Sequence, residues 1–290
     1  MAHHLLLAHA RASRTYRTKY QKQQGGVIGF TSNTDHNIPY RPGNADDIEA
    51  ANRQTAFALG WFYDPIFFGH YPQEMLEYIA DVLPEFSPDE VKQLRGSVDF
   101  VGVNHYTTSY VKDDQSSPGG SWWSDSRTWT TKTGIDGQAI GPQADPWWLY
   151  VYPAGMRGVL DWIDKRYSHA PVYVFENGMG VPHEGEMPIA QALHDSFRVE
   201  FYKGYIQSAL EAVTVDGVDL RGYFGWSLMD NFEWAEGYSK RFGMTYVDYS
   251  DNQRRYVKDS FAWYSQLMLT GGVHGAYVNT DRALLEEGFI

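Results

Sequence analysis

The sequence predicts an α/β fold, a parallel sheet covered by helices, and three observations predict it. Strand-like and helix-like segments alternate along the chain. The strand segments are apolar on both faces, as strands buried under helices are. Three of the four end in polar residues, at Asn104, at Glu176-Asn177 and at Asp230 to Trp234. In parallel α/β barrels that C-terminal edge is where the βα loops build active sites.

The elements follow in order. Residues 2–20 read as a helix, with Leu5, Ala8, Ala12 and Tyr16 recurring at helical spacing and Arg11, Arg14 and Arg17 mostly on another face. It starts without a cap, which suggests that chain precedes it. Val27-Ile28-Gly29-Phe30 is a short apolar run between turn residues and suits a buried strand. Asp46-Asp47 open a helix near 47–62, and a second near 72–82 carries Met75, Leu76 and Ile79. Residues 98–104 form the next strand. The Ser, Gly, Asp and Thr content of 113–146 predicts a long loop over a site rather than a linker. Helices are expected at 153–167, 192–213 and 256–269, and strands at 172–175 and 222–228. No internal repeat or domain boundary is visible, so 1–290 reads as a single domain.

Composition narrows the function. Lys+Arg number 24 against 36 Asp+Glu, a net charge of −12, which disfavours a nucleic-acid partner. With 43% hydrophobic and 21% charged residues the chain is globular. Cysteine is absent, excluding disulfides, Cys-based zinc sites and thiol nucleophiles. No apolar run approaches the roughly 20 residues that span a bilayer, so no membrane partner is expected. Met1 to Leu7 lacks the basic region of a signal peptide; the compartment stays open, with the cytoplasm slightly favoured. His3, His4 and His9 miss the i, i+4 spacing of a helical metal pair, so no metal is expected. Aromatic residues make up 16%, including 10 Trp and 21 Tyr, side chains suited both to core packing and to gripping sugars.

Glu176 is the sharpest chemical candidate. It follows an apolar strand and precedes Asn177-Gly178, where a tight turn would leave its carboxylate at the strand end. On spacing alone it could equally pair with a core arginine or cap the next segment. The combination of segments is more specific. Val174 to Gly178 and Gly225 to Tyr238 resemble the two strongest signatures of family 1 glycoside hydrolases, the β-glucosidase family. Asp99 to Tyr106 resembles the family's Asn-Tyr-Tyr strand, and Trp148 to Pro153 its aglycone-side tryptophan segment. Order and spacing match across nearly all of the chain.

The resemblance implies a (β/α)8 TIM-barrel fold, of which this chain covers about strands 5 to 8. It implies a retaining β-glycosidase, needing no cofactor, with Glu176 as nucleophile, Tyr106 hydrogen-bonded to it and Asn104 beside them. Trp226 would lie under the sugar, Glu233 and Trp234 would bind its hydroxyls, and Trp148 would stack on the leaving group. Any single tryptophan could instead be core packing, Trp148 most readily; Glu236 and Asp230 read as structural. Phe175 replaces the family's usual Thr and, by strand alternation, should face the helices. His105 replaces the middle Tyr of Asn-Tyr-Tyr and should point away from the pocket.

A retaining glycosidase also needs an acid/base carboxyl roughly 5 Å from the nucleophile. The family carries it in an Asn-Glu-Pro motif, which this sequence lacks, and Ala2 to Ala12 resembles the helix after that motif. The expectation is therefore the C-terminal part of a family member, acting on a β-glycoside and inactive or weak alone. Its open barrel edges would be covered by the missing N-terminal half or by self-association. A 6-phosphoglycoside is disfavoured because Glu233 would repel a phosphate. A myrosinase-like thioglucosidase and a catalytically dead sugar-binding relative stay open.

Overall fold

The computed structural model describes residues 1–122 and 124–271, so 272–290 of the expected domain lie outside the described residues. Helix α1 is Ala2–Lys19 and runs into the short α2, Gln21–Gln24, closed by Gly25 in the left-handed region at φ 67°. The face that α1 buries is not the expected one. His3, Leu6, Ala10 and Ser13 are buried, whereas Leu5 is 52% exposed. His3 Nδ1 bonds the Tyr71 hydroxyl at 2.9 Å and Ser13 donates to the Ser97 carbonyl at 2.7 Å. Partnered polar side chains can thus line a buried stripe that a hydropathy count assigns to solvent.

Strand β1, Gly29–Asn33, begins two residues later than the apolar run, and β2 is His36–Pro39. Helix α3, Ala45–Thr55, is capped by Asn44, whose side chain accepts the Asp47 amide at 3.0 Å. It passes through a π-helical turn at Ala56–Gly60 into α4, Trp61–Phe67. Then come α5, Gln73–Ile79, and α6, Pro88–Leu94, opened by a capping box between Ser87 and Glu90. Next are β3, Phe100–Asn104, β4, Thr108–Asp113, and β5, Thr128–Thr131. The rest of the chain adds α7, Ala154–Arg166, β6, Val172–Asn177, α8, Ile189–Ala192, α9, Ser196–Thr214, and β7, Leu220–Gly225. Last are β8, Thr245–Asp248, β9, Arg254–Val257, and α10, Asp259–Thr270. No helix among the described residues is long and apolar enough to cross a membrane.

The chain divides into two compact units. One comprises Met1–Gln143, Leu149–Asn177 and Ser208–Phe224. Its main sheet has the order β1-β3-β6-β7, with β1 and β3, and β3 and β6, paired in parallel. Neighbours in space are successive in the chain and are separated by helices, the connectivity of an α/β barrel. A second sheet, β2-β4-β5, places β5 inside the stretch expected to be loop; it pairs antiparallel with β4.

On one face of the main sheet Val101, Val103, Val172 and Val174 are fully buried. Tyr63 of α4 donates there to the Gly102 carbonyl at 2.7 Å. The other face carries Phe100, Tyr173, Phe175 and Phe224. Phe175 does not face the helices as alternation predicts. The β3–β6 register shifts between Val103 and Asn104, a bulge that skips Phe175, and its ring lies 5.5 Å from Phe224 at an interplanar angle of 2°.

The other unit comprises Ala144–Trp148, Gly178–Gln207 and the described residues from Gly225 onward. Phe201, Tyr202, Tyr205, Phe242 and Met244 are buried in it. Charged side chains are buried there too, among them an acid–base network of Glu184, Asp195, Asp230, Arg198, Arg241 and Lys258. Arg198 pairs with Glu184 and Asp195, and Lys258 with Glu184 and Asp230.

Candidate active site

In the first unit the end of β6 carries the predicted nucleophile. Because of the bulge, Asn104 stands opposite Glu176 in the register. The His105 amide donates to the Glu176 carbonyl at 3.0 Å, and Asn177 Nδ2 donates to the His105 carbonyl at 2.7 Å. The Tyr223 hydroxyl donates to Asn177 Oδ1 at 2.5 Å. These bonds hold the strand end, and the Tyr106 hydroxyl donates to Glu176 Oε2 at 2.7 Å. The structure thus brings together Asn104, Tyr106 and Glu176. Asn104 Oδ1 is buried and has no hydrogen-bond partner among the described residues, which leaves an acceptor beside the carboxylate. His105 is fully buried, with Nδ1 3.1 Å from the Thr34 carbonyl oxygen. Burial pushes its imidazole down to about 4.

Sequence reasoning marked Asn177 only as part of the strand end and its turn, and missed Tyr223. Their signal is faint: Asn177 adjoins Glu176, and Tyr223 lies inside a strand where an aromatic reads as packing.

The second unit holds the other candidates. Trp226 Nε1 donates to Glu233 Oε1 at 3.0 Å, and Glu233 is only 9% exposed. The Trp226 carbonyl accepts from the Tyr202 hydroxyl at 3.1 Å. A Cβ on Gly178 would stand 1.7 Å from that carbonyl oxygen, so the backbone approach requires glycine. The Trp226–Ser227 peptide is cis. Asp230 anchors the following segment. Its carboxylate accepts from Arg241 at 2.5 Å, from the Gly243 and Val247 amides at 3.0 and 3.2 Å, and from Lys258 at 3.3 Å. Trp234 is 85% exposed with φ 47°, and Trp148 is half-buried. The structure joins Trp226 to Glu233 directly, and Trp234 follows Glu233 in a turn closed by the Glu233 amide on the Gly237 carbonyl at 2.7 Å. A ring face, a buried carboxylate and an exposed indole make a set suited to a polyhydroxylated ligand.

The helix histidines have other partners: His3 bonds Tyr71, and His9 Nε2 lies 3.0 Å from Ser97 Oγ. Among the described residues no cluster of three or more His, Asp or Glu could hold a metal.

A parallel β/α sheet with a phenol-bound carboxylate at a strand's C-terminal end defines a class, the (β/α) barrel enzymes that use strand-end acids. Comparison with known proteins narrows it. The model of glycosyl hydrolase family 1 matches residues 1–273, and the chain belongs to that family. Beta-glucosidase 1B of Phanerodontia chrysosporium is 47% identical over 266 residues, 92% of this chain and 48% of that protein. The crystal structure of a family 1 β-glucosidase from Humicola insolens, in complex with glucose, superposes with TM-score 0.89 at 44% identity. That match covers 93% of this chain and 56% of the other. An aphid myrosinase aligns with TM-score 0.82 at 29% identity, covering 92% and 58%. The chain spans about half the length of the curated relatives it matches, and its fold is part of a (β/α)8 barrel.

Proposed function

We propose that this chain contributes the nucleophile part of a retaining β-glycosidase acting on terminal β-D-glucosyl or related β-linked residues. The observation that carries the reading is Glu176 at the end of β6 with Tyr106 donating to Oε2 at 2.7 Å. Fixed through one oxygen, the carboxylate attacks the anomeric carbon through the other, and the bond to the leaving oxygen breaks. That oxygen takes its proton from a second carboxyl group acting as acid. Water then cleaves the glycosyl ester with inversion, so that two inversions give net retention. Trp226 offers the sugar a flat face, and Glu233 and Trp234 bind its hydroxyls. Asn104 Oδ1 accepts from a hydroxyl near the anomeric centre, and Trp148 stacks on the leaving group. Glu233 favours neutral sugars over phosphorylated ones through charge repulsion.

The test is Glu176→Gly in this chain co-expressed with the amino-terminal part of a matched β-glucosidase. Turnover of an aryl β-glucoside should vanish, and azide should restore it with an α-glycosyl azide as product. A β-configured azide, or turnover that survives the substitution, overturns the assignment. The likeness to a myrosinase supports a second substrate class, and assaying an aryl thioglucoside in parallel separates the two. Sugar binding without turnover of either substrate would favour the catalytically silent reading.

A further inference from the structure

The long stretch between β4 and α7 reaches the strand end that bears the nucleophile through one ammonium group. Lys132 directly follows β5, and its carbonyl accepts the Ile140 amide at 2.8 Å, with Thr133 bridged to Ala139 beyond it. Its Nζ lies 2.9 Å from the Thr108 carbonyl oxygen, 2.9 Å from Ser109 Oγ, 3.2 Å from Asp35 Oδ2 and 3.3 Å from Thr107 Oγ1. Four oxygens therefore share its three protons. They come from two connections of the first unit, Asp35 from the one between β1 and β2, and 107–109 from the one between β3 and β4 and the start of β4. This placement costs free energy. Burial lowers the Lys132 amine from its ordinary range, with Asp35 opposing, and raises the Asp35 carboxyl, with Lys132 opposing. A lysine that merely solubilised a surface loop would extend into water and avoid that cost, whereas this side chain is 20% exposed.

We infer that Lys132 is a positioning residue for Glu176, pinning segment 107–109 so that the Tyr106 hydroxyl stays on the carboxylate. The inference rests on the reading of Glu176 as nucleophile. Tyr106 lies between β3 and β4, outside regular structure, so its flanks place its ring. On one flank the His105 amide donates to the Glu176 carbonyl at 3.0 Å. On the other, Thr107 Oγ1 donates to the Tyr150 carbonyl at 2.8 Å and accepts the Tyr150 amide at 3.1 Å, while the Thr107 carbonyl accepts the His36 amide at 3.1 Å. Lys132 adds a charged donor to this same residue and to the two that follow it. Hydrogen bonds with an ionised partner are roughly twice as strong as neutral ones. Asp35 fixes where the ammonium stands and also accepts from Ser109 Oγ at 3.3 Å. Such anchoring has a kinetic consequence. A displacement of about 1 Å at a reacting group can cost on the order of 10²-fold in rate, and a bond as short as the 2.7 Å from Tyr106 to Glu176 is lost over that distance.

The experiment makes Lys132→Met, which keeps the apolar stem and removes the charge, in the chain co-expressed with the amino-terminal part of a matched β-glucosidase. Two readouts are taken. The Tyr106 ring is followed by NMR in protein labelled with 13C at the tyrosine ζ carbon, its resonance assigned by its absence from Tyr106→Phe. Turnover of an aryl β-glucoside is measured in the native and the Tyr106→Phe backgrounds. Lys132→Met should move the Tyr106 resonance and lower kcat at least about tenfold with KM changed less than about twofold, the pattern of an interaction that serves the transition state. In the Tyr106→Phe background the same substitution should cost less than about twofold, because the two residues act through one bond. Should Lys132→Met fail to fold, Asp35→Asn combined with Lys132→Met removes both charges of the pair and gives the same comparison. An unmoved Tyr106 resonance, a kcat kept by the variant, or equal losses in the two backgrounds would overturn the inference, the last because a purely structural role does not depend on the phenol. A resonance that moves in protein whose native form turns over no glycoside would uphold the pinning of Tyr106 and sink the proposed activity.

Discussion

Asn104 on β3 stands opposite Glu176 on β6 only because the register slips by one residue above the Val103–Val174 pair. Without that bulge Asn104 would stand opposite Phe175. The slip places the acid beside an amide whose oxygen is buried and has no hydrogen-bond partner among the described residues, and within reach of the Tyr106 hydroxyl. Bulges recur beside active sites because they re-aim a side chain without dismantling the sheet.

Tyr106→Phe should keep the fold and remove the one side-chain hydrogen bond described on Glu176. In the co-expressed form, kcat/KM for an aryl β-glucoside should fall by about 1–3 kcal/mol, the range for bonds to charged groups. Unchanged kinetics would show that the phenol does not serve the carboxylate during turnover.

Glu233→Ala should lower kcat/KM for glucosides by about 1–3 kcal/mol, because the ligand's hydroxyls lose a buried acceptor. It also removes the acceptor of Trp226 Nε1, so the tryptophan fluorescence of the chain should change. Equal losses on glucoside, galactoside and fucoside would show that the carboxylate does not select the sugar.

Asp230→Ala should be strongly destabilising. It leaves Arg241 and Lys258 short of a buried counter-charge and strands the Gly243 and Val247 amides. Breaking a buried pair in this way typically costs about 3–5 kcal/mol. Thermal melts followed by circular dichroism read the loss; a shift worth less than about 1 kcal/mol would contradict the anchoring role.

Acid should loosen the first unit. Burial first, and then the neighbouring His105, push His36 down to about 4, with Asp161 opposing. His105 is pushed down to about 4 by burial, with the Thr34 carbonyl opposing and Lys132 assisting. Unfolded histidines take protons near 6.5, so between 6.5 and 4 the unfolded chain binds more protons than the folded one. This contribution is complete above 6.5 and is lost as the pH falls toward 4, by at most about 3 kcal/mol per histidine. Tm measured from pH 7.5 to 4 should drop through that window. The slope should flatten in a His36→Asn, His105→Asn double variant, and a slope unchanged in that variant would rule out these two groups.

Much of this protein is written locally. The alternation of apolar strands and amphipathic helices fixes the α/β class, because periods of about 2 and 3.6 are properties of each segment alone. The strand-end motifs around Asn104, Glu176 and Trp226 mark the candidate residues for the same reason. Helix α6 was not among the expected elements, although its capping box lies within four residues. Other features depend on residues distant in sequence. The slip that sets Glu176 opposite Asn104 needs β3 and β6 side by side, and no alternation rule contains it. The buried stripe of α1 follows Tyr71 and Ser97, whose bonds make a histidine and a serine acceptable inside. The ion network of Glu184, Asp195, Arg198, Asp230, Arg241 and Lys258 gathers charges that a linear reading assigns to solvent. Burying them is tolerable only when each finds its partner, and that condition is met in three dimensions.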